Sequence, residues 1–190
     1  MDVRTRILEA AAAIYGTNGF HGTTTRRIAT EAGVNEVSVF RHFGSKEALL
    51  REVISLGWKR IELPALPEHP ANPEAELTGW ALQYYALHSE CAPFIRTRLG
   101  EFQEHPDIIP AAGSPPARTA ALVAAYLTRL KASGRMRPDI QPKRAAAMLI
   151  GALFADAVTR EGLREMYSDS AEDDVRGYVR IFLRGIGAGE

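Results

Sequence analysis

Residues Thr24 to Lys46, TTRRIATEAGVNEVSVFRHFGSK, decide the fold. They read as a helix, a tight turn, a second short helix and the start of a third. Thr24 or Thr25 can cap the first helix, since a Thr hydroxyl satisfies an orphan backbone N–H there. Ile28, Ala29 and Ala32 give it an apolar stripe at spacings of three and four. Gly33 supplies the reversed backbone that ends a helix cheaply, and Val34 plugs the corner. Asn35 caps the next helix, where Val39 and Phe43 point inward and Glu36, Val37, Ser38, Phe40, Arg41 and His42 stay mostly outward. Two short helices at this spacing form either a plain αα-hairpin or a helix-turn-helix, whose second helix enters the DNA major groove.

The longer run from Gly22 to Leu50, GTTTRRIATEAGVNEVSVFRHFGSKEALL, resembles the DNA-binding signature of TetR-type transcriptional regulators. The matching features are the double Thr, the Ile-Ala, the Ala-Gly-Val turn, the aromatic–x–His-Phe ending and the Ser-Lys-Glu-x-Leu that opens the next helix. The resemblance covers the first quarter of the chain. It implies that the helix from Asn35 to Phe40 faces the bases, with Glu36, Val37 and Ser38 as readers. Val37 suits a thymine methyl, Ser38 several bases, and Glu36 a cytosine amine. Thr24, Thr25, Arg27, Arg41, His42 and Lys46 are then the phosphate contacts, with Arg26 a weaker one. Two positions depart from the pattern. Glu36 stands where many members carry Lys or Arg, and Phe40 where many carry Tyr. Phe40 has no hydroxyl to give a phosphate, so its ring can pack only on sugar or a thymine methyl.

Composition bounds the rest. The chain has 190 residues, enough for one or two domains. Lys plus Arg and Asp plus Glu both number 23, so bulk charge lends nucleic-acid binding no support and local placement must carry it. The single cysteine, Cys91, excludes an internal disulfide framework and suits a reducing cytosol. Arg4 and Arg6 before an Ala-rich run do not make a signal peptide, because Glu9 interrupts it. No stretch reaches membrane-span length. The expected location is the cytoplasm, with no membrane partner.

Arg4 to Asn18 reads as a scaffold helix closed by Asn18-Gly19, with Phe20 tucked back; Arg4 and Arg6 are surface charge or phosphate donors. Ser45 caps a fourth helix running through Leu49, Leu50, Val53, Ile54, Trp58 and Ile61. Pro64, Pro67, Pro70 and Pro73 mark a surface linker. Further helices follow from Pro73 to about Ser89, from Pro93, and from about Ala117 to Ser133. The segment from Pro142 to about Glu165 contains AAAMLIGALFADAV, apolar around most of its circumference, as a helix buried on more than one side is. Ser170 caps the last helix.

The expected fold is all-α: an N-terminal three-helix helix-turn-helix domain over residues 1–46, and a C-terminal helical ligand-binding and dimerisation domain over 47–190. The surplus apolar surface of the last two helices is an internal pair or a homodimer interface, and the resemblance implies the dimer. The interface candidates are Gly151, Ala152, Phe154, Ala155, Val175, Tyr178, Val179 and Phe182. Trp58, Trp80, Tyr84, Tyr85, His88, Phe94, Arg98 and Phe102 concentrate aromatics mid-chain. They are core or pocket, and the resemblance implies a small apolar or amphipathic effector there. No cofactor is expected, and no metal: His88-x-x-Cys91 with His105 is too loose a ligand set. A Gly-rich phosphate loop, a nucleophile elbow and an HExxH are all missing from the sequence, so no enzyme is expected. The reading is a homodimeric, ligand-responsive repressor on a palindromic double-stranded operator. The alternatives are a helical small-molecule binding protein that no longer reads DNA, and an interaction module using the Pro-rich segment.

Overall fold

The structure, a computed structural model, describes residues 2–59, 65–101 and 115–188, and these are helical throughout apart from turns and connections. The helices are α1 (Val3–Gly22), α2 (Thr25–Ala32), α3 (Glu36–Phe43), α4 (Lys46–Lys59), α5 (Pro73–Glu90), α6 (Ala92–Glu101), α7 (Pro115–Ala132), α8 (Pro142–Thr159) and α9 (Ala171–Ile186). They gather into two compact units. The first holds α1 to α4 with α6, the second α5 with α7, α8 and α9.

In the first unit α1 packs on α2 and α4, α2 on α3, and α3 on α4. Ile7 and Ala11 of α1, Ile28 and Ala32 of α2, Val39 of α3 and Leu49 and Val53 of α4 form one buried cluster. Tyr15, Phe20, Leu50 and Ile54 form a second, with Phe94 of α6 against it. Burying one Ile or Leu side chain contributes about 1.5–3 kcal/mol, so Leu49, Leu50 and Ile54 bind α4 firmly here. A boundary at residue 46 therefore cuts through this unit, because α4 presents apolar side chains to α1 on two sides. The break in α1 lies where Asn18-Gly19 places it: Gly19 has φ 66° and ψ −170° inside the helical run.

In the second unit α8 packs on α5, α7 and α9, which explains why so much of its circumference is apolar. The core joins Leu77, Trp80 and Tyr84 of α5, Tyr126 and Leu127 of α7, Leu149 and Leu153 of α8, and Val175, Val179 and Phe182 of α9. α8 stops earlier than its sequence suggests. After Thr159 the chain turns, with Gly162 and Leu163 N–H both donating to the Thr159 carbonyl at 2.9 Å, and a single 3-10 turn follows at Arg164–Met166. The Pro-rich segment is pinned down where it is described. Leu66 is buried in this core, and the Arg135 guanidinium donates to the carbonyls of Pro70 (2.7 Å) and Ala71 (3.2 Å).

Three groups of this unit make its stability acid-sensitive. The Glu76 carboxylate accepts from Ala71 N–H (2.9 Å), Asn72 N–H (2.8 Å) and the Tyr126 hydroxyl (2.6 Å). Burial raises its pKa, but these bonds outweigh burial and hold it below its ordinary value. The hydrogen bond from Arg160 is the largest cause lowering the Asp174 carboxyl. Burial lowers the His88 pKa. All three folded values are depressed, so each contribution is present above the group's unfolded pKa and lost as pH falls through the folded one. Melting temperature is expected to hold steady between about pH 7 and 8, decline once His88 would protonate in the unfolded chain near about 6.5, and fall further below about pH 4. Thermal melts across a pH series check this; a melting temperature rising on acidification would contradict it.

Candidate functional site

The helix-turn-helix is assembled by local caps. Thr24 Oγ1 accepts from Arg27 N–H at 3.2 Å and starts α2. Gly33, at φ 63°, ends it: Gly33 N–H donates to the Thr30 carbonyl (3.2 Å) and Val34 N–H to that of Ala29 (2.9 Å). This double closure needs a left-handed residue, which glycine adopts without strain. Asn35 Oδ1 then accepts from Val37 N–H at 2.9 Å and starts α3. Gly44, at φ 76°, closes α3, and Ser45 Oγ accepts from Ala48 N–H at 3.1 Å to start α4.

On α3, Val39 is buried while Val37 is 70 % and Phe40 48 % exposed. Arg41 is exposed, and Ser38 and His42 are half-buried. The other expected DNA-contacting residues have internal partners. Glu36 Oε1 accepts the Thr25 hydroxyl at 2.6 Å, tying α3 to α2. The Arg27 guanidinium donates to the Gly22 carbonyl (2.6 Å) and to Asn18 Oδ1 (3.2 and 3.3 Å). Lys46 Nζ donates to the Phe20 carbonyl at 2.9 Å and lies 3.6 Å from the centre of the Phe20 ring. Two cations thus meet the carbonyl end of α1, where helix polarity favours positive charge. Arg4 pairs with Glu52 at 2.6 Å and lies 5.0 Å from the Phe43 ring centre. Arg26, ranked lower from sequence, is exposed. The internal bonds of Arg27 and Lys46 had one sequence signal, the Asn18-Gly19 break that leaves α1 carbonyls in need of donors.

The aromatic candidates do not form one cluster. Trp80, Tyr84 and His88 stack along α5, with ring centres 5.3 and 3.9 Å apart, and His88 meets Phe154 edge-on at 5.7 Å. His88 Nδ1 lies 2.8 Å from the Tyr84 carbonyl, and donates to it. Burial pushes the Tyr84 phenol pKa up, and Trp80 Nε1 is buried without a hydrogen-bond partner among the described residues. The Tyr85 hydroxyl donates to Asp156 at 3.2 Å. Phe94 and Arg98 belong to the first unit, where Phe94 meets Tyr15 edge-on at 5.6 Å and Arg98 is buried. The side chain of Trp58, and Phe102, lie outside the described residues. An open groove of about 440 Å³ runs between α5 and α9, lined by Thr78, Leu82, Arg176 and Arg180 among others; none of the aromatic candidates lines it.

The interface candidates separate as well. Gly151, Ala152 and Ala155 are exposed on α8. Val175, Val179 and Phe182 are 0, 0 and 3 % exposed, so they cannot face a partner: they hold α9 to its own protomer. Phe154 packs against His88, and the Tyr178 hydroxyl donates to Asp156 at 2.8 Å. The outward apolar residues are Met148 of α8, 61 % exposed, and Ile181 of α9, 73 % exposed, neither of which stood out in the sequence.

A family model described as bacterial regulatory proteins, tetR family, matches residues 7–53. The chain is 36% identical over 78 residues to the HTH-type transcriptional repressor KstR2 of Mycobacterium tuberculosis (strain H37Rv), covering 40% of this chain and 39% of the relative. It is 41% identical over 51 residues to the HTH-type transcriptional regulator UidR of Escherichia coli K12, covering 27% and 26%. The chain thus spans about two-fifths or less of these relatives' length. A TetR transcriptional regulator from Agrobacterium tumefaciens matches in structure with a TM-score of 0.77 at 16% identity, over 96% of this chain and 92% of that one, which shows a shared fold. Among the described residues, no helix is long and apolar enough to cross a membrane.

Proposed function

We propose that the chain, whose residues 7–53 match the tetR family model, is a sequence-specific, DNA-binding transcriptional regulator of that family. It acts in the cytoplasm as a homodimeric repressor, released from a palindromic operator by a small apolar or amphipathic effector. Both named relatives are regulators rather than enzymes. The observation that carries the reading is α3 itself. Val39 anchors its inner side to the buried cluster shared with α1, α2 and α4, while Val37, Phe40 and Arg41 are exposed. A helix held this way can enter a major groove without disturbing its support. Support for an effector comes from Trp80 Nε1, buried without a partner among the described residues, at the end of the stack it forms with the Tyr84 and His88 rings. A ligand would release the operator only by binding one of two protein conformations better.

Selection from a random DNA pool with the full chain is expected to enrich one palindromic sequence, and the complex is expected to weaken steeply with salt. Arg41→Ala should weaken binding to all sequences alike and reduce the slope of log affinity against log salt by about 0.9 for each phosphate contact removed. Binding by Arg41→Ala as tight and as salt-dependent as the parent's would contradict the contact map. The zero net charge and the acidic Glu36 on α3 favour a second reading, a helical small-molecule binding protein that no longer reads DNA. A pool yielding no enriched sequence would support it.

A further inference from the structure

We propose that α3 recognises thymine through its C5-methyl group, using an apolar wedge of Val37 and Phe40, and that Glu36 is a positioning residue that contacts no base. The inference rests on the DNA-reading function proposed above and specifies what that site reads.

Positions 37, 40 and 41 fall at i, i+3 and i+4, so their side chains share one stripe. All three are exposed, and the two apolar ones are large and adjacent. Contiguous exposed apolar surface marks an interaction site. In a major groove the complementary apolar target is the thymine methyl, the one methyl group the four bases present there. Phe40 has neither a donor nor an acceptor on its ring, so apolar contact is what it can offer. Arg41, beside Phe40 on the same stripe, is exposed and suited to phosphate, which matches a polyanion whose groove floor is locally apolar.

Glu36 would read a cytosine amine only if its carboxylate faced the groove. One of its oxygens instead accepts the Thr25 hydroxyl at 2.6 Å, directing the carboxylate toward α2. There it holds the first turn of α3 to the first turn of α2 and sits at a helix N-terminus, where negative charge is favoured. Ser38 is half-buried, less exposed than Val37 and Phe40. The reading surface is thus mainly a shape that fits methyl groups.

The test uses the full chain and the sequence enriched from a random DNA pool. Each thymine is replaced singly by deoxyuridine, which keeps the hydrogen-bonding groups and removes only the methyl. At least one position per half-site should weaken binding about fourfold, the effect of one buried methyl-sized group. Val37→Ala or Phe40→Ala should bring the thymine-to-deoxyuridine ratio at its facing position close to one. Selection with Glu36→Gln, which can still accept from Thr25, should return the same sequence as the parent. An enriched sequence bound equally well with deoxyuridine at every position would overturn the methyl reading and leave the DNA-reading function standing. A changed base preference in Glu36→Gln would show that Glu36 reads a base and overturn its positioning role. A pool with no enriched sequence would overturn both proposals together.

Discussion

Asp156→Ala is expected to lower the free energy of unfolding by about 3 kcal/mol, the low end of what breaking a buried ion pair from one side costs. Asp156 is 1 % exposed on α8. Its carboxylate accepts from Arg160 Nε and Nη2, both at 2.7 Å, from the Tyr178 hydroxyl at 2.8 Å and from that of Tyr85 at 3.2 Å. Arg160 continues to Asp174 Oδ2 and the Ser168 carbonyl, each at 2.6 Å. One acidic group therefore joins α5, α8 and α9. Removing it strands two partly buried phenols and leaves the guanidinium with half its carboxylate partners. Arg160 retains Asp174 and its side chain is 19% exposed, so water offsets part of the loss. A change of this size shifts the melting temperature by about 2–4 °C per kcal/mol in a chain this long. Asp156→Asn should recover part of the stability, because the amide oxygen still accepts from one of the two phenols. An Asp156→Ala variant melting with the parent would show that the network contributes no net stability.

The second large effect concerns assembly. In the homodimer proposed above, Ile181→Asp should separate the subunits and weaken operator binding by about 100-fold or more. With Ile181 73 % and Met148 61 % exposed, and Gly151, Ala152 and Ala155 small and exposed on α8, a partner could approach closely and cover apolar surface. Two-fold symmetry would bury two new carboxylates without partners. Even about 2.8 kcal/mol of lost association amounts to about 100-fold. Because Ile181 contributes little to its own protomer's core, the variant's helix content and thermal melt should stay near those of the dissociated parent. Sedimentation velocity at micromolar concentration separates the outcomes: a dimeric Ile181→Asp would place the interface elsewhere. Val179→Asp makes a useful contrast, since it should unfold the second unit itself.

The helix-turn-helix was legible because its instructions are local. Thr24, Asn35 and Ser45 each bond a backbone N–H two or three residues away, and Gly33 closes a helix through its own φ. Such contacts survive whatever the rest of the chain does. The roles of particular side chains in that motif were less legible. Arg27, Lys46 and Glu36 suit DNA contact by type, yet each has a partner on another helix that the packing of α1, α2, α3 and α4 brings near. The α9 interface candidates failed for a related reason. Val175, Val179 and Phe182 form a proper apolar stripe, but a stripe records that a helix buries one side, and not whether the surface it meets belongs to its own chain.

What the sequence by itself determined is the all-helical fold, the capped helix-turn-helix from Thr24 to Lys46, and the break at Gly19, all set by hydrogen bonds and φ preferences within a few residues. What only the tertiary structure decided is which outward residues remain available. It separated Phe94 and Arg98 from the Trp80–Tyr84–His88 stack, drew Arg27, Lys46 and Glu36 into internal bonds, and left Val37, Phe40, Met148 and Ile181 facing outward. The physical reason is that availability depends on contacts between residues far apart in the chain. Asp156 and Tyr85, for example, meet across a separation of 71 positions.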